Sequence, residues 1–438
     1  MSAKNLKVLM VAEQCNPDWV SVPLVGYNFY HEISQLAEVT LVTHARNREG
    51  FEKYGLHQNI TYLEESTIAR LYHRVIWNLI AKGRANWPLY NALSFPIYAE
   101  FDRQVYQRFG RAVKRGEYDV VHVITPMMPR YPTSLIKACR QTPLLLGPVN
   151  GGVPFPKGFE ETAKKEKASW NFLKHIGRYL VPGYVATYKK AHKILSGSTY
   201  TLEMLKDTFK IADERIDLLY ENGISKTFLE PVQKNRNPNQ VHLLFVGRLV
   251  PYKGADMLID AIAQLPQAIR DRIVLSIVGD GSERELLEQT VKQSGLQNTV
   301  RFVGWIKQQE TVDYYRRADV FCFPSIREFG GAVVMEAMAC GLPCIVANNG
   351  GIAEYVDDTT GFKIDLRSRD FVVQELAAKI TLLTENDRLR EQMSLKCVEK
   401  AHEFEWSAKA VRVMEIYTEL REQKTIQQPK TSIYPVHI

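Results

Sequence analysis

The chain has 438 residues, 45% of them hydrophobic and 24% charged, with a formal net charge of +7. That length exceeds one ordinary core and suggests two or three domains, and no stretch reaches the roughly 20 apolar residues of a membrane-spanning helix. Six scattered cysteines form no CxxC pair and have no interleaved histidines, so they read as reduced, buried thiols rather than a zinc site or a disulfide framework.

The N-terminal MSAKNLKVLMVAEQ runs into a strand with no leader pattern, and a cytoplasmic location is expected. LKVLMVAEQ, VTLVTHARN, YDVVHVITP at 118–126 and TPLLLGPVN at 142–150 are continuous Val/Leu/Ile runs separated by helix-like segments. Such runs mark parallel strands covered on both faces. They predict a doubly wound α/β domain over 1–217. After the turn-rich YENGISKTFLEP and the polar VQKNRNPNQ the pattern restarts, with VHLLFVGRLV at 241–250, RIVLSIVGDG at 272–281, NTVRFVGW at 298–305, ADVFCFPS at 318–325 and LPCIVANNGG at 342–351. A second α/β domain is expected over 218–404, with 405–425 as an amphipathic helix folded back on the first domain and 426–438 as a flexible tail.

Charge is uneven. Residues 1–217 hold 29 Lys+Arg against 20 Asp+Glu, and the remainder 27 against 29. An insert at 66–112 has no Asp or Glu between 67 and 99, yet carries Arg70, Arg74, Lys82 and Arg84 beside Trp77 and Trp87. A second basic-aromatic segment follows within 157–193. Solvated basic faces are one reading; contact with anionic lipid headgroups or an acidic acceptor is the other. No nucleic-acid partner is expected.

Two constellations carry chemistry. In REFGGAVVMEAMACGLPCIV, Glu336 sits in an apolar run eight residues after Glu328, with Gly330-Gly331 between them. A helix starting near Gly331 offers backbone N–H groups and a positive dipole end to a phosphate, with Glu328 and Glu336 bracketing the ligand. A Glu336 held only by protein donors is the alternative. In GRLVPYKG, Arg248 and Lys253 follow a buried strand at its C-terminal end, where open α/β sheets bind ligands, and two cations there suit a diphosphate.

GRLVPYKG, VGDGSERELLE, VRFVGW and EFGGAVVMEAMACGLP together resemble the retaining nucleotide-sugar glycosyltransferases of family 4, the group 1 glycosyltransferases, which have the GT-B fold of two Rossmann-like domains facing across a cleft. The likeness is specific in the second half and looser in the first, where it rests on strand order, DVVHV and ENG. It implies that Glu336 binds the donor ribose and Glu328 the transferred sugar. By the same likeness Phe329, Gly330 and Gly331 touch sugar and phosphate, Arg248 and Lys253 neutralise the leaving diphosphate, and Val303, Gly304 and Trp305 receive the base with Gly279 nearby. His122 matches the first histidine of a cluster that supports the reacting sugar in relatives, although a core histidine is the competing reading. In the first βα loop, where relatives often have Gly-Gly near the diphosphate, this chain offers only Gly26. The Gly/Pro-rich 147–158 loop should line the cleft.

The expected reaction is transfer of a hexose from a UDP- or GDP-sugar to an acceptor hydroxyl with retention. The charge of the first half favours a glycolipid, lipid-linked or cell-surface polysaccharide precursor, reached from the cytoplasmic face of a membrane, and a small soluble acceptor stays open. No cofactor is expected, and with no D-x-D in the chain, no metal. A GT-B-fold sugar-nucleotide epimerase, such as one acting on UDP-N-acetylglucosamine, and a non-catalytic sugar-nucleotide-binding subunit are the rivals. A nicotinamide-dependent oxidoreductase is disfavoured because neither domain shows G-x-G-x-x-G after its first strand.

Overall fold

The computed structural model describes residues 6–55, 59–81, 87–128, 131–168, 180–230 and 239–427. Lys82, Arg84, residues 169–179 of the second basic-aromatic segment, most of the VQKNRNPNQ linker and the tail beyond 427 lie outside the described residues.

Seven strands, β1 (Lys7–Ala12), β2 (Glu38–His44), β3 (Ile60–Leu63), β4 (Val120–Thr125), β5 (Leu144–Val149), β6 (Lys193–Ser196) and β7 (Ile216–Leu218), form one sheet in the order β3-β2-β1-β4-β5-β6-β7. Six more, β8 (Val241–Val246), β9 (Ile273–Val278), β10 (Val300–Gly304), β11 (Val320–Phe323), β12 (Cys344–Ala347) and β13 (Gly361–Ile364), form a second in the order β10-β9-β8-β11-β12-β13. Every pairing is parallel. Both sheets therefore repeat one doubly wound order, with the switch point beside the first strand of each.

Helices cover both faces of each sheet, which is why the central strands read as unbroken apolar runs. All six residues of β4 and of β5 are buried. Each buried Val or Leu contributes about 2 kcal/mol. The strands missing from the expectations, β3, β6, β7 and β13, are only three or four residues long. Three of these, β3, β7 and β13, lie at sheet edges and mix buried with half-buried or exposed positions.

The helix Trp406–Gln427 crosses back and enters the first core, where Val413, Ile416 and Tyr417 join residues of β1 and β4. Trp406 meets Phe29 of the helix Val22–Ser34 edge to face, with ring centroids 5.2 Å apart. The two chain crossings between the domains also pair with each other: Ile224 N donates to Phe404 O at 2.9 Å and Trp406 N to Ile224 O at 3.3 Å. Gly223 permits this, since a Cβ there would fall 2.6 Å from the Trp406 ring.

Candidate functional site

The site grows from the loops at the C-terminal ends of the second sheet. After β8 the chain turns through Arg248 into the short 3₁₀ turn Pro251–Lys253, and Gly254 follows with φ +74°. A Cβ at Gly254 would lie 2.5 Å from Pro324 O, so this loop is pressed against the one after β11. Ile326 N and Ser325 Oγ both donate to Tyr252 O, at 2.9 and 3.3 Å.

That stitching carries Lys253 to Glu328: the ammonium donates to Glu328 Oε2, which also accepts from Ser325 Oγ at 3.4 Å. The ammonium lies over the Phe323 ring, 4.9 Å from its centroid, and near that of Tyr252 at 5.4 Å. Arg248 donates to the Tyr252 hydroxyl at 2.7 Å. Arg248, Tyr252, Lys253 and Glu328 thus form one connected chain of contacts.

Gly331 starts the helix Ala332–Ala339 with φ +54° and no side-chain cap. Its first N–H groups form the kind of helix terminus that attracts phosphate. Gly330 is packed so closely that a Cβ would come within 2.2 Å of both Glu221 Oε1 and Asn222 Nδ2. A second pair, Gly350-Gly351, presses on the carbonyls of Glu328 and Phe329, and Gly351 N donates to Phe329 O at 3.1 Å. These two glycines set the Glu328–Phe329 loop. Sequence reading passed over them, although NNGG after a buried strand was the available signal.

Glu336 is buried in that helix, and its two oxygens accept from Gln308 Nε2 at 2.6 Å and the Tyr315 hydroxyl at 2.9 Å. Burial pushes the carboxyl above its ordinary range, and the two donors pull it back. Protein donors therefore hold the carboxylate in the ligand-free chain. Gly279, with φ +135°, is pinned where a Cβ would fall 2.0 Å from Gly247 O, and its N–H donates to Gly304 O at 2.9 Å. Gly304 continues into Trp305, which is 68% exposed, while Val303 packs on the second core.

The first domain meets this loop through the 147–158 segment. Asn150 donates to Phe329 O at 3.1 Å and accepts from Ser198 and Thr201, both at 2.9 Å. Arg327 donates to Val153 O at 2.8 Å and lies between the rings of Phe155 and Phe329, 4.9 and 5.0 Å from their centroids. The C-terminal ends of the two sheets therefore face each other. Sequence reading also missed two titratable groups at the crossings, half-buried Glu221 and buried Lys409. Burial raises Glu221 to about 7, opposed by Asn150 and Lys409 and aided by Glu328. Lys409, which donates to Tyr220 O at 2.8 Å, is lowered by burial to about 7, opposed by Glu221.

One expectation needs correcting. His122 is fully buried in β4, with Nε2 on Gly147 O at 2.7 Å and Nδ1 on the Tyr417 hydroxyl at 2.6 Å. A carbonyl only accepts, so Nε2 carries the proton and Nδ1 accepts from the tyrosine. Burial lowers the ring to about 4. It is a core histidine tying the terminal helix to the sheet and has no nitrogen left for a sugar. Gly26 is likewise occupied by its own chain: a Cβ there would lie 2.4 Å from Gln14 O and 3.5 Å from Thr125 Cγ2. That close packing accounts for a glycine inside the helix Val22–Ser34.

Among the described residues no group of three or more His, Cys, Asp or Glu is placed to hold a metal, and no helix is long and apolar enough to cross a membrane.

Residues 227–397 match the family described as Glycosyl transferases group 1. The chain is 35% identical over 185 residues to a D-inositol 3-phosphate glycosyltransferase of Thermomonospora curvata, a stretch covering 40% of this chain and 42% of that protein. A second such protein, from Thermobispora bispora, is 35% identical over 250 residues, covering 53% and 57%. The chain thus spans about half the length of the curated relatives it matches. HepE of Anabaena in complex with UDP has a similar fold, with a TM-score of 0.62 at 17% identity over 94% of this chain and 100% of that one. So does the sucrose-phosphate synthase of Thermosynechococcus elongatus, with a TM-score of 0.63 at 18% identity over 96% and 100%. The fold is GT-B, and the second domain, through residues 227–397, belongs to the group 1 glycosyl transferases.

Proposed function

We propose that the chain transfers a hexose from a UDP- or GDP-sugar to an acceptor hydroxyl, with retention of anomeric configuration. The observation that carries this reading is the joining of Arg248, Tyr252, Lys253 and Glu328 beside the uncapped start of Ala332–Ala339. In this reading the diphosphate lies against Arg248, Lys253 and the helix N-terminus, Glu328 takes hydroxyls of the sugar, and Glu336 takes those of the ribose. Phe329, Gly330 and Gly331 present backbone to sugar and phosphate, and the Gly279, Val303–Trp305 edge receives the base. The UDP seen in HepE supports a nucleotide donor of this kind.

Breaking the anomeric C–O bond places negative charge on the β-phosphate, and fixed cations there act where charge develops. Lys253 and Arg248 supply that field without a metal, and attack from the face of the departing phosphate accounts for retention. Asn150 and Arg327 bring the first domain, which holds the acceptor, up to the donor loop. The positive first half, with its basic insert, favours a glycolipid, lipid-linked or polysaccharide-precursor acceptor.

The test is incubation with UDP- and GDP-sugars, alone and with lipid-linked and soluble acceptors, followed by NMR of the products. A retained glycoside formed only with acceptor supports the proposal. A new sugar nucleotide formed without acceptor assigns the fold to an epimerase, and an inverted product overturns the mechanism.

A further inference from the structure

The segment 66–81 carries an apolar face that the transferase chemistry does not use. The helix Thr67–Ile76 begins at Ser66, whose Oγ accepts from Ala69 N at 3.2 Å, and runs on through the wider turn Trp77–Ala81. Its inner face is anchored: Ala69 and Ile76 are buried, Tyr72 donates to Leu93 O at 2.9 Å, and the His73 ring pairs with the Tyr90 hydroxyl at 3.0 Å.

Its outer face is not polar. Ile68 is 82% exposed, Leu71 61%, Val75 45% and Leu79 79%. Steps of three, four and four residues place all four on one side of the helix. Scattered exposed apolar residues are ordinary, but four aligned on one ordered helix mark an interaction surface. Exposed Arg70 and Arg74 lie along one edge of the stripe, and no acidic residue occurs from 67 to 99; Trp77, half exposed, lies beyond the arginines and meets the Tyr90 ring edge to face, with centroids 5.8 Å apart.

We propose that this stripe is a docking surface for an anionic lipid bilayer, with Ile68, Leu71, Val75 and Leu79 entering the headgroup–acyl boundary and Arg70 and Arg74 meeting the lipid phosphates. Charge complementarity commits the surface to that occupant: an aliphatic stripe edged by two arginines, its carboxylates confined to the helix start at Glu64, Glu65 and the Glu100 that holds Ser66, matches such a boundary. Its position suits the task. The helix leaves the C-terminal end of β3, and in a parallel sheet that is the edge from which the 147–158 loop reaches the donor loop. A docked helix would hold the cleft beside the membrane surface. The inference rests on the reading of a membrane-borne acceptor for its purpose only, because attachment is tested with no sugar present.

The full chain is co-sedimented with vesicles of phosphatidylcholine, with and without phosphatidylglycerol, at low and high salt. The wild type is expected to pellet with the anionic vesicles and to release as salt rises. Leu71→Ser with Leu79→Ser should weaken partitioning at least about tenfold at every salt concentration. Arg70→Gln and Arg74→Gln should weaken it about fivefold each and flatten the salt dependence. A wild type that stays in the supernatant overturns the proposal, as does a Leu71/Leu79 variant that pellets like wild type. Self-association on size exclusion that the same variant abolishes assigns the face to a second copy instead. The UDP-induced thermal shift of each variant is read in parallel. Retained in the variants, it shows the loss of vesicle binding to be local; absent from a wild type that still pellets, it removes the donor reading and leaves the docking surface standing.

Discussion

Lys253 donates to the Glu328 carboxylate across two loops that share no strand, one after β8 and one after β11. In the ligand-free chain the cation proposed to meet a leaving diphosphate is thus held by the acid proposed to take the sugar. Both side chains are largely covered, with 12% and 15% exposure. On the proposed reading, a sugar nucleotide draws the ammonium from the carboxylate to the phosphate. Glu328→Gln should bind UDP, which has no sugar to lose, several-fold more tightly than wild type, while transfer from a UDP-sugar falls. Calorimetry with UDP and initial rates check this; weaker UDP binding in the variant would show that Glu328 does not compete for Lys253.

Lys253→Ala should lower kcat about 100- to 1,000-fold, the usual cost of deleting one group that stabilises developing charge. Arg248→Ala should act in the same direction. The Tyr252 hydroxyl that Arg248 contacts does not replace its charge. A loss confined to KM would assign the pair to ground-state binding.

His122 gives the opposite pattern. Folding holds its ring neutral, so stability is complete above the ordinary value of 6.5 and is lost as pH falls toward about 4. The loss is on the order of 3 kcal/mol. His122→Gln should be less stable at pH 7, because the Tyr417 hydroxyl and Gly147 carbonyl lose their partner, yet lose less on acidification. Its kcat should stay within a few-fold of wild type. Urea midpoints at pH 7 and 4.5, with rates on folded protein, test both parts.

Glu221 and Lys409 sit at the domain crossings, where Lys409 donates to Tyr220 O at 2.8 Å. Glu221 is raised to about 7, so its contribution to stability is present below about 4.5 and is lost as pH rises through 7. Lys409 is lowered to about 7, so its contribution is present above 10.5 and is lost as pH falls through 7. Lys409→Met removes the second trend and the cation that opposes the rise of Glu221. The variant should lose more stability than wild type between pH 5 and pH 8, measured by urea denaturation; an equal or smaller loss would contradict this account.

The sequence showed the fold wherever burial was two-sided. β1, β2, β4, β5, β8, β9, β11 and β12 stood out as apolar runs because helices cover both faces, while β10, an edge strand with Arg301 exposed, was legible only through the motif NTVRFVGW. β3, β7 and β13 did not, because short edge strands mix buried and exposed positions. β6, with three of its four residues buried, did not stand out because it opens on Lys193 and closes on Ser196, leaving only Ile194 and Leu195 as an apolar run. In the candidate site, Arg248, Lys253, Glu328 and Glu336 drew notice because charges beside apolar runs and glycines need a reason; the structure joins the first three through Tyr252 and places Glu336 on Gln308 and Tyr315. Asn150, Glu221, Arg327 and Lys409 were not, since their partners lie 179 residues away for Asn150 and 174 for Arg327. His122 shows the reverse failure: a motif position satisfied by a tyrosine 295 residues later.

The central claim is that the two cations and two acids of the second domain serve one diphosphate sugar. Thermal denaturation of the full chain with UDP- and GDP-sugars tests it most directly. Wild type should be stabilised by about 2.7 kcal/mol at 100 times the Kd, with that gain largely lost in Lys253→Ala and in Glu336→Ala. No stabilisation by any sugar nucleotide, or the full gain retained in both variants, would contradict it.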